Sequence, residues 1–280
     1  MRKLLQAELS RRLSSIIFIG EIIFLLIYNY LEVIGSVFGF EVDTTYFLFN
    51  KTAIICLCIA VNVSLQLIQE LDNRTINNKL FCGFSKSIFY KTEIIVGIIE
   101  GMILFLIDTI SIIILGIMQK YDTDIFSTDF FINLIITLMI ISTVTIISTV
   151  LSILINHRII SIFFVMAVTL FLLYGGNETV RSLNQPAQTT LFSVDGEIRD
   201  NPLYIEGTKR VAHNIHLFAS PYAQSCYVSY MLHEKQADKS NNSLILKNIP
   251  YHLEFIISDT IECLITYILG FYLFNRRNLQ

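Results

Sequence analysis

Carboxylates inside long apolar runs are the residues of this sequence with the most evident chemistry. Five of them are candidate site residues: Glu21, Glu100, Asp108, Asp259 and Glu262. A charged side chain at the centre of a bilayer costs roughly 2.5–3.5 kcal/mol on insertion scales, so each carboxylate requires a physical reason to be there. The interiors of the same runs contain no Lys or Arg that would neutralise them.

Three interpretations of these carboxylates stay open. In the first they are structural, either protonated or hydrogen-bonded to Ser, Thr and Tyr side chains of neighbouring helices. In the second they contact a cationic molecule, and Asp259 and Glu262, one helical turn apart, are the pair that suggests it. In the third they pair with a basic residue of another chain.

Other reactive groups form no recognisable site in the sequence. The five cysteines are scattered, with no spacing typical of a zinc site or a disulfide framework. There is no H-E-x-x-H pair and no G-x-x-x-x-G-K-[ST] phosphate loop. We therefore expect no catalytic residue, metal or cofactor in this chain, and we do not expect it to be an enzyme.

The composition is that of a membrane protein. Of 280 residues, 54% are hydrophobic and 15% charged, against about 45–50% and about 25% in soluble domains. A net charge of −3 argues against nucleic-acid binding. Charge-poor runs of about 17–25 residues are long enough to cross a bilayer as helices. They predict six spans, at 14–34, 52–69, 93–118, 130–155, 159–174 and 254–274.

The predicted fold class is therefore an all-α polytopic membrane protein. Leucines at helical spacing, opposite Arg2, Lys3, Arg11 and Arg12, predict an amphipathic interfacial helix at 1–13. The bias of Lys and Arg places both termini in the cytoplasm. The remaining divisions are transmembrane helices 1–5 within 14–174, an extracellular domain at 175–253, transmembrane helix 6 at 254–274 and a cytoplasmic tail at 275–280.

Small residues within the spans predict close helix packing. Gly97 and Gly101 have the spacing that lets two helices approach each other. A second small-residue face lies in the fourth span, at Thr145, Ser148, Thr149 and Ser152.

A polar segment at 70–91 separates the second and third spans. Ile76, Leu80, Phe84 and Ile88 repeat every four residues, which predicts a short amphipathic helix that continues into the third span. Two interpretations remain: a solvated connector on the membrane surface, or a docking helix for a cytoplasmic partner through exposed aromatic residues, Phe84 and its neighbour Phe81.

Two sequence motifs resemble the permease subunits of type-2 ABC exporters, the ABC-2 family. The first, E-x-x-x-x-T-I-x-N-K-L-x-x-G-x-S, comprises Glu70, Thr75, Ile76, Asn78, Lys79, Leu80, Gly83 and Ser85. It is similar to the coupling-helix segment of small permeases from Gram-positive bacteria. The second, "NPLYIEGTKR" at 201–210 followed by "SPYAQ" at 220–224, is similar to their extracellular insert, with Ala223 where Gly is expected.

The resemblance implies a transmembrane permease subunit of an ATP-driven exporter in the bacterial cell membrane. ATP and Mg would be bound by two separate ABC ATPase subunits, and a second permease chain, identical or a sister, would complete the transporter among membrane lipids. The residues of 70–91 that would couple it to the ATPase are Glu70, Thr75, Ile76, Asn78, Lys79, Leu80, Phe81, Gly83, Phe84 and Ser85.

The resemblance also suggests a cargo class. Small members of the family export antimicrobial peptides or drugs, or confer immunity to them, and the carboxylates within the spans favour cationic or amphipathic peptides, drugs or lipid-like molecules. The alternative is a membrane scaffold or sensing subunit that binds an ABC ATPase and transports nothing.

Overall fold

The computed structural model describes residues 2–36, 47–73, 75–119, 128–155, 158–189, 199–231 and 251–276. Within these ranges the chain is mostly helical, and it has two paired strands of two residues each. In chain order the elements are α1 (Arg2–Leu13), α2 (Ile16–Ser36), α3 (Thr52–Asp72), α4 (Thr75–Phe81), α5 (Lys86–Gln119), α6 (Thr128–Leu154), α7 (Arg158–Leu183), β1 (Gln188–Thr189), β2 (Arg199–Asp200), α8 (Gly207–Ala219), α9 (Pro221–Met231) and α10 (Tyr251–Arg276).

Six of these helices are long and apolar enough to cross a membrane: α2, α3, α5, α6, α7 and α10. Within the described residues this number equals the number of predicted spans, as expected of a multi-pass membrane protein. Large apolar side chains remain exposed along α2, α7 and α10, with Ile23, Phe171 and Leu264 as examples. Such surfaces are expected to contact lipid, since none of the described residues covers them.

Two of the predicted span boundaries differ from those of the helices. Helix α5 begins at Lys86, well before the apolar run, and α7 continues to Leu183, beyond the predicted end at 174. The last turns of α7 are polar in sequence, but Val180 and Leu183 are buried in the hydrophobic core. The extension of α7 is stabilised by this packing, which local hydropathy does not register.

The helices pack closely where small residues meet. A Cβ atom on Gly101 would lie 2.6 Å from Ile59 Cδ1 of α3 and 2.7 Å from Ile141 Cγ2 of α6. A Cβ atom on Gly97 would lie 2.7 Å from Thr145 Cγ2. Both glycines therefore allow α5 to approach α3 and α6, in agreement with the predicted packing role.

The segment after α7 folds back onto the long helices. Asn201 donates from Nδ2 to the carbonyl of Pro186 at 2.9 Å and accepts at Oδ1 from the Leu203 amide at 2.9 Å. Helix α9 contacts α3, α6 and α7 and is buried over most of its length. Its Ala223 packs against α7 so closely that a Cβ on Gly176 would lie 2.7 Å from the Ala223 Cα. Residues 232–250 of the predicted extracellular domain lie outside the described part of the chain.

Candidate functional site

Helix α1 packs against α5 and α2 through an unexpected face. Its buried residues are Leu4, Glu8 and Arg12, which recur every four residues. The predicted leucine stripe at Leu5, Leu9 and Leu13 is only half-buried. The sequence pattern grouped Arg12 with the polar, basic face of α1, and this was wrong: Arg12 is 0% exposed.

Arg12 is buried because two carboxylates of α5 receive its guanidinium. Nη1 donates to Glu100 Oε2 at 3.0 Å, and Nη2 donates to Glu93 Oε2. Burial by itself lowers the pKa of Arg12, but the negative charges of Glu93 and Glu100 more than compensate and raise it above its ordinary value. The arginine therefore remains charged inside the protein, and Glu100 has a cationic partner within its own chain.

A second set of ion pairs joins α1 to α3 and α4. Lys79 Nζ of α4 lies 2.6 Å from Glu8 Oε1 and 2.6 Å from Glu70 Oε2. Arg11 Nη2 lies 2.7 Å from Glu8 Oε2 and also donates to Glu70 Oε1. The Lys79 ammonium additionally sits over the Phe89 ring of α5, 5.0 Å from its centroid.

We call these seven residues the buried ion network; it comprises Glu8, Arg11, Arg12, Glu70, Lys79, Glu93 and Glu100. Three acids of this network each place one carboxylate oxygen within 4.8 Å of the other two: Glu8, Glu70 and Glu93. A cluster of this kind could hold a metal ion in another protein. Here two arginines and a lysine already form ion pairs with these acids. The network contains no nucleophile, and its evident role is to hold four helices together.

The protonation of Glu8 responds to this environment. Burial alone raises the pKa of Glu8, but the hydrogen bond and charge of Lys79, a hydrogen bond with Glu70 and the charge of Arg11 together lower it. The net effect is a pKa below the ordinary value of 4.5, so Glu8 is ionised under neutral conditions.

Helix α4 presents one aromatic side chain and buries the rest of its apolar face. Ile76 is buried in a hydrophobic cluster that includes Phe89 and Phe274, and the half-buried Leu80 packs against the same cluster. Phe81 points away from the protein and is 88% exposed. The four-residue repeat that begins at Ile76 and Leu80 therefore packs mostly against the protein, and only Phe81 beside it is presented to a partner.

The predicted continuity of this helix with the third span was wrong. Helix α4 ends at Phe81, and Gly83 adopts a φ of 90°, a left-handed conformation that glycine tolerates without a Cβ clash. Ser85 then accepts a hydrogen bond at Oγ from the Ile88 amide at 3.3 Å and starts α5 as its N-cap.

The ten predicted coupling residues divide into two groups. Five of them make contacts within the chain: Glu70, Thr75, Ile76, Lys79 and Leu80. The Thr75 hydroxyl, for example, donates to the Glu70 carbonyl at 3.1 Å. The exposed residues are Asn78, Phe81, Gly83 and Ser85, whereas Phe84 is half-buried.

The carboxylates within the spans have different surroundings. Asn62 Nδ2 lies 3.4 Å from Glu21 Oε2 and 3.4 Å from Glu100 Oε1, which brings these two acids together. Asp108 stands apart and accepts from Asn29 Nδ2 at 2.9 Å. Asp259 and its neighbour Glu262 belong to neither group.

Comparison with known proteins adds no family assignment. No protein-family model matches the chain, and no curated protein matches it in sequence.

Sequence reasoning missed Glu8, Arg12 and Glu93 as site residues. A signal for them exists, because Glu93 and Glu100 are seven residues apart and therefore share one face of α5, while Glu8 and Arg12 share one face of α1. The spacing therefore groups the charges of each helix on one face, but it does not show that the two faces meet.

Proposed function

We propose that this chain is the permease subunit of an ATP-driven exporter and that its ATPase binds at α4. The observation that carries the proposal is the exposure of Phe81 on a short helix between two spans that is fixed by the buried ion network. A large aromatic side chain at 88% exposure is unusual outside a lipid-facing or partner-facing surface. Aromatic residues in such positions are frequent energetic centres of protein interfaces.

The ion network gives α4 the stiffness that a coupling element needs. Lys79 fixes α4 to Glu8 of α1 and to Glu70 of α3, and Arg12 fixes α1 to α5. A force applied at Phe81 would therefore act on three other helices together. Nucleotide-dependent movement of the ATPase would thus change the packing of α3 and α5 as a unit, a rigid-body switch between two states.

The proposed division of labour rests on the resemblance to ABC-2 permeases. Since the chain has no phosphate-binding loop, ATP and Mg are bound by two separate ATPase subunits. A second permease chain, identical or a sister, forms the other half of the pathway. The α4 end and both termini lie in the cytoplasm of a bacterial cell, and the segment between α7 and α10 lies outside.

The proposed cargo is cationic or amphipathic, such as an antimicrobial peptide, a drug or a lipid-like molecule. Of the acids considered, Glu100 is paired with Arg12 and Asp108 with Asn29, so their charge is already balanced or hydrogen-bonded. Glu21 and Glu262 are only partly buried and remain the better candidates for cargo contact.

A non-transporting scaffold is the alternative, and the complete enclosure of Asp259 favours it, because an enclosed acid lines no open path. The two functions differ in a direct assay. Inside-out vesicles containing the chain and its ATPase should accumulate a labelled cationic peptide when ATP is added, and should fail to do so with a non-hydrolysable analogue. An ATPase that binds the chain while the vesicles accumulate no peptide, drug or lipid would support the scaffold.

A further inference from the structure

Helix α8 turns its apolar side away from the rest of the described chain. Beside Thr208, the exposed residues along that side are Val211, Ala212, Ile215 and Ala219, which recur at helical spacing. The two large ones, Val211 and Ile215, lie one turn apart and are 56% and 53% exposed. An amphipathic helix on a water-exposed surface normally has the reverse orientation, with its apolar stripe on the core.

The opposite side of α8 is largely polar and contacts the protein. His213 and His216 are partly buried there, and a hydrogen bond of 2.7 Å joins His216 Nδ1 to Thr179 Oγ1 of α7. Leu217 is fully buried in the hydrophobic core. These contacts fix the rotation of α8 about its axis, so the outward direction of its apolar side is set by packing.

The end of α7 shows at which level of the membrane α8 lies. The last exposed aromatic side chain of α7 is Tyr174, and exposed polar residues follow at Asn177 and Arg181. Tyrosine is enriched where a bilayer meets water, so this transition marks the membrane boundary. His216 meets α7 in the same interval, because its Cε1 would lie 3.8 Å from a Cβ atom on Gly175. Helix α8 therefore crosses α7 at the level of the boundary.

We propose that α8 lies on the membrane beside α7, with Val211 and Ile215 inserted where lipid headgroups meet acyl chains. The insertion removes the exposed apolar side chains from water, as in other interfacial helices. Lys209, exposed at the start of α8, places its ammonium among the lipid phosphates while its methylene chain stays with the apolar side chains. The inference requires that α7 crosses a membrane, and it does not depend on the proposed exporter function.

A second copy of the chain is the other occupant that could cover this side of α8. The side offers two large apolar residues, Val211 and Ile215, whereas a stable protein interface takes about 20–30 residues from each partner. Lipid requires no such area, and it is already expected along the exposed surface of α7 that ends next to α8. Lipid is therefore the occupant that the structure favours.

The placement can be tested by fluorescence, because the chain has no Trp and one introduced Trp reports on its own surroundings. The full chain carrying Ile215→Trp is reconstituted in liposomes of phosphatidylcholine and phosphatidylglycerol, with bromine near the headgroup or near the end of the acyl chains. The indole should emit at short wavelength, lose most emission to bromine near the headgroup, and resist acrylamide present on both sides of the membrane. Val211→Trp should give the same result.

Two variants on α7 calibrate the measurement. Phe171→Trp replaces a side chain that is 74% exposed one turn before Tyr174, and its emission should be reduced by bromine deeper in the bilayer than at position 215. Arg181→Trp replaces an exposed side chain beyond the boundary. Its emission should be reduced by acrylamide and little affected by brominated lipid.

Two results at position 215 would overturn the placement. Quenching by acrylamide without quenching by brominated lipid would show that the apolar side of α8 lies in water. Emission at short wavelength that neither quencher reduces would show that protein, such as a second copy of the chain, covers it. Either result is informative only with the expected behaviour of Phe171→Trp, which shows that the chain is inserted.

Discussion

Arg12 and Glu100 are separated by 88 positions in the sequence, yet their side chains meet at 3.0 Å in a region closed to solvent. The contact anchors the N-terminal helix to the third span. Removing one member of a buried ion pair leaves the other charge without compensation, and this is the costly case. The pair therefore makes the fold sensitive to a residue that appears, in sequence, to belong to a surface helix.

Arg12→Ala should destabilise the chain by about 3–5 kcal/mol, the usual cost of breaking a buried pair. The matched control is Arg2→Ala, because the Arg2 side chain is exposed at the start of the same helix and its loss should change the free energy of unfolding by about 0.5 kcal/mol or less. Thermal unfolding of the purified chains measures both. Equal midpoints for the two variants would show that Glu93 and Glu100 are not left with a destabilising, uncompensated charge when Arg12 is removed.

Glu8 and Lys79 should be energetically coupled. Since they are ion-paired at 2.6 Å, the free-energy costs of Glu8→Gln and Lys79→Met should not add. A double-mutant cycle on unfolding is expected to give a coupling energy of about 0.5–3 kcal/mol. Arg2 is exposed and supplies the control cycle with Lys79, for which the costs should be additive. Additive costs in both cycles would mean that α1 and α4 are not linked by this pair.

The contribution of Glu8 to stability should also depend on pH. Because the pKa of Glu8 is lower in the folded chain than its ordinary value of 4.5, its ionised form stabilises the fold above that pH. The contribution should disappear as the pH falls through the lowered pKa. The difference in stability between the parent and Glu8→Gln should therefore shrink under acid conditions. A difference that stays constant across the acid range would contradict the assigned pKa direction.

The fold was predictable where it depends on local properties of the chain. The long apolar runs determine the six spans, and Gly97 and Gly101 could be recognised from spacing alone. The partners of Glu100 and Glu70 could not, because Arg12 and Arg11 meet them only after α1 packs on α5. The break between α4 and α5 was readable in principle, since Gly83 and Ser85 are typical of a helix end and a helix start.

Packing between α7 and α9 can be tested at Gly176. A Cβ there would lie 2.7 Å from the Cα of Ala223, a backbone atom that cannot move aside easily. Gly176→Val should force α9 outward at a cost on the order of 1–3 kcal/mol. Cys226 of α9, whose thiol lies 3.7 Å from the Leu173 carbonyl, should then react faster with a maleimide. Gly20→Ala is the control, since no atom lies within 4 Å of its Cβ position, and it should leave the labelling rate unchanged.

The central claim, that an ATPase docks at Phe81, is tested most directly by photo-crosslinking in intact cells. A photoreactive amino acid is placed at position 81, and a matched variant carries it at position 171, where the native Phe is 74% exposed on a spanning helix. The account predicts that position 81 captures an ABC ATPase subunit, identified by mass spectrometry, while position 171 does not. Adducts at position 81 that contain lipid or proteins other than an ATPase, in cells where the chain is correctly inserted, would contradict it.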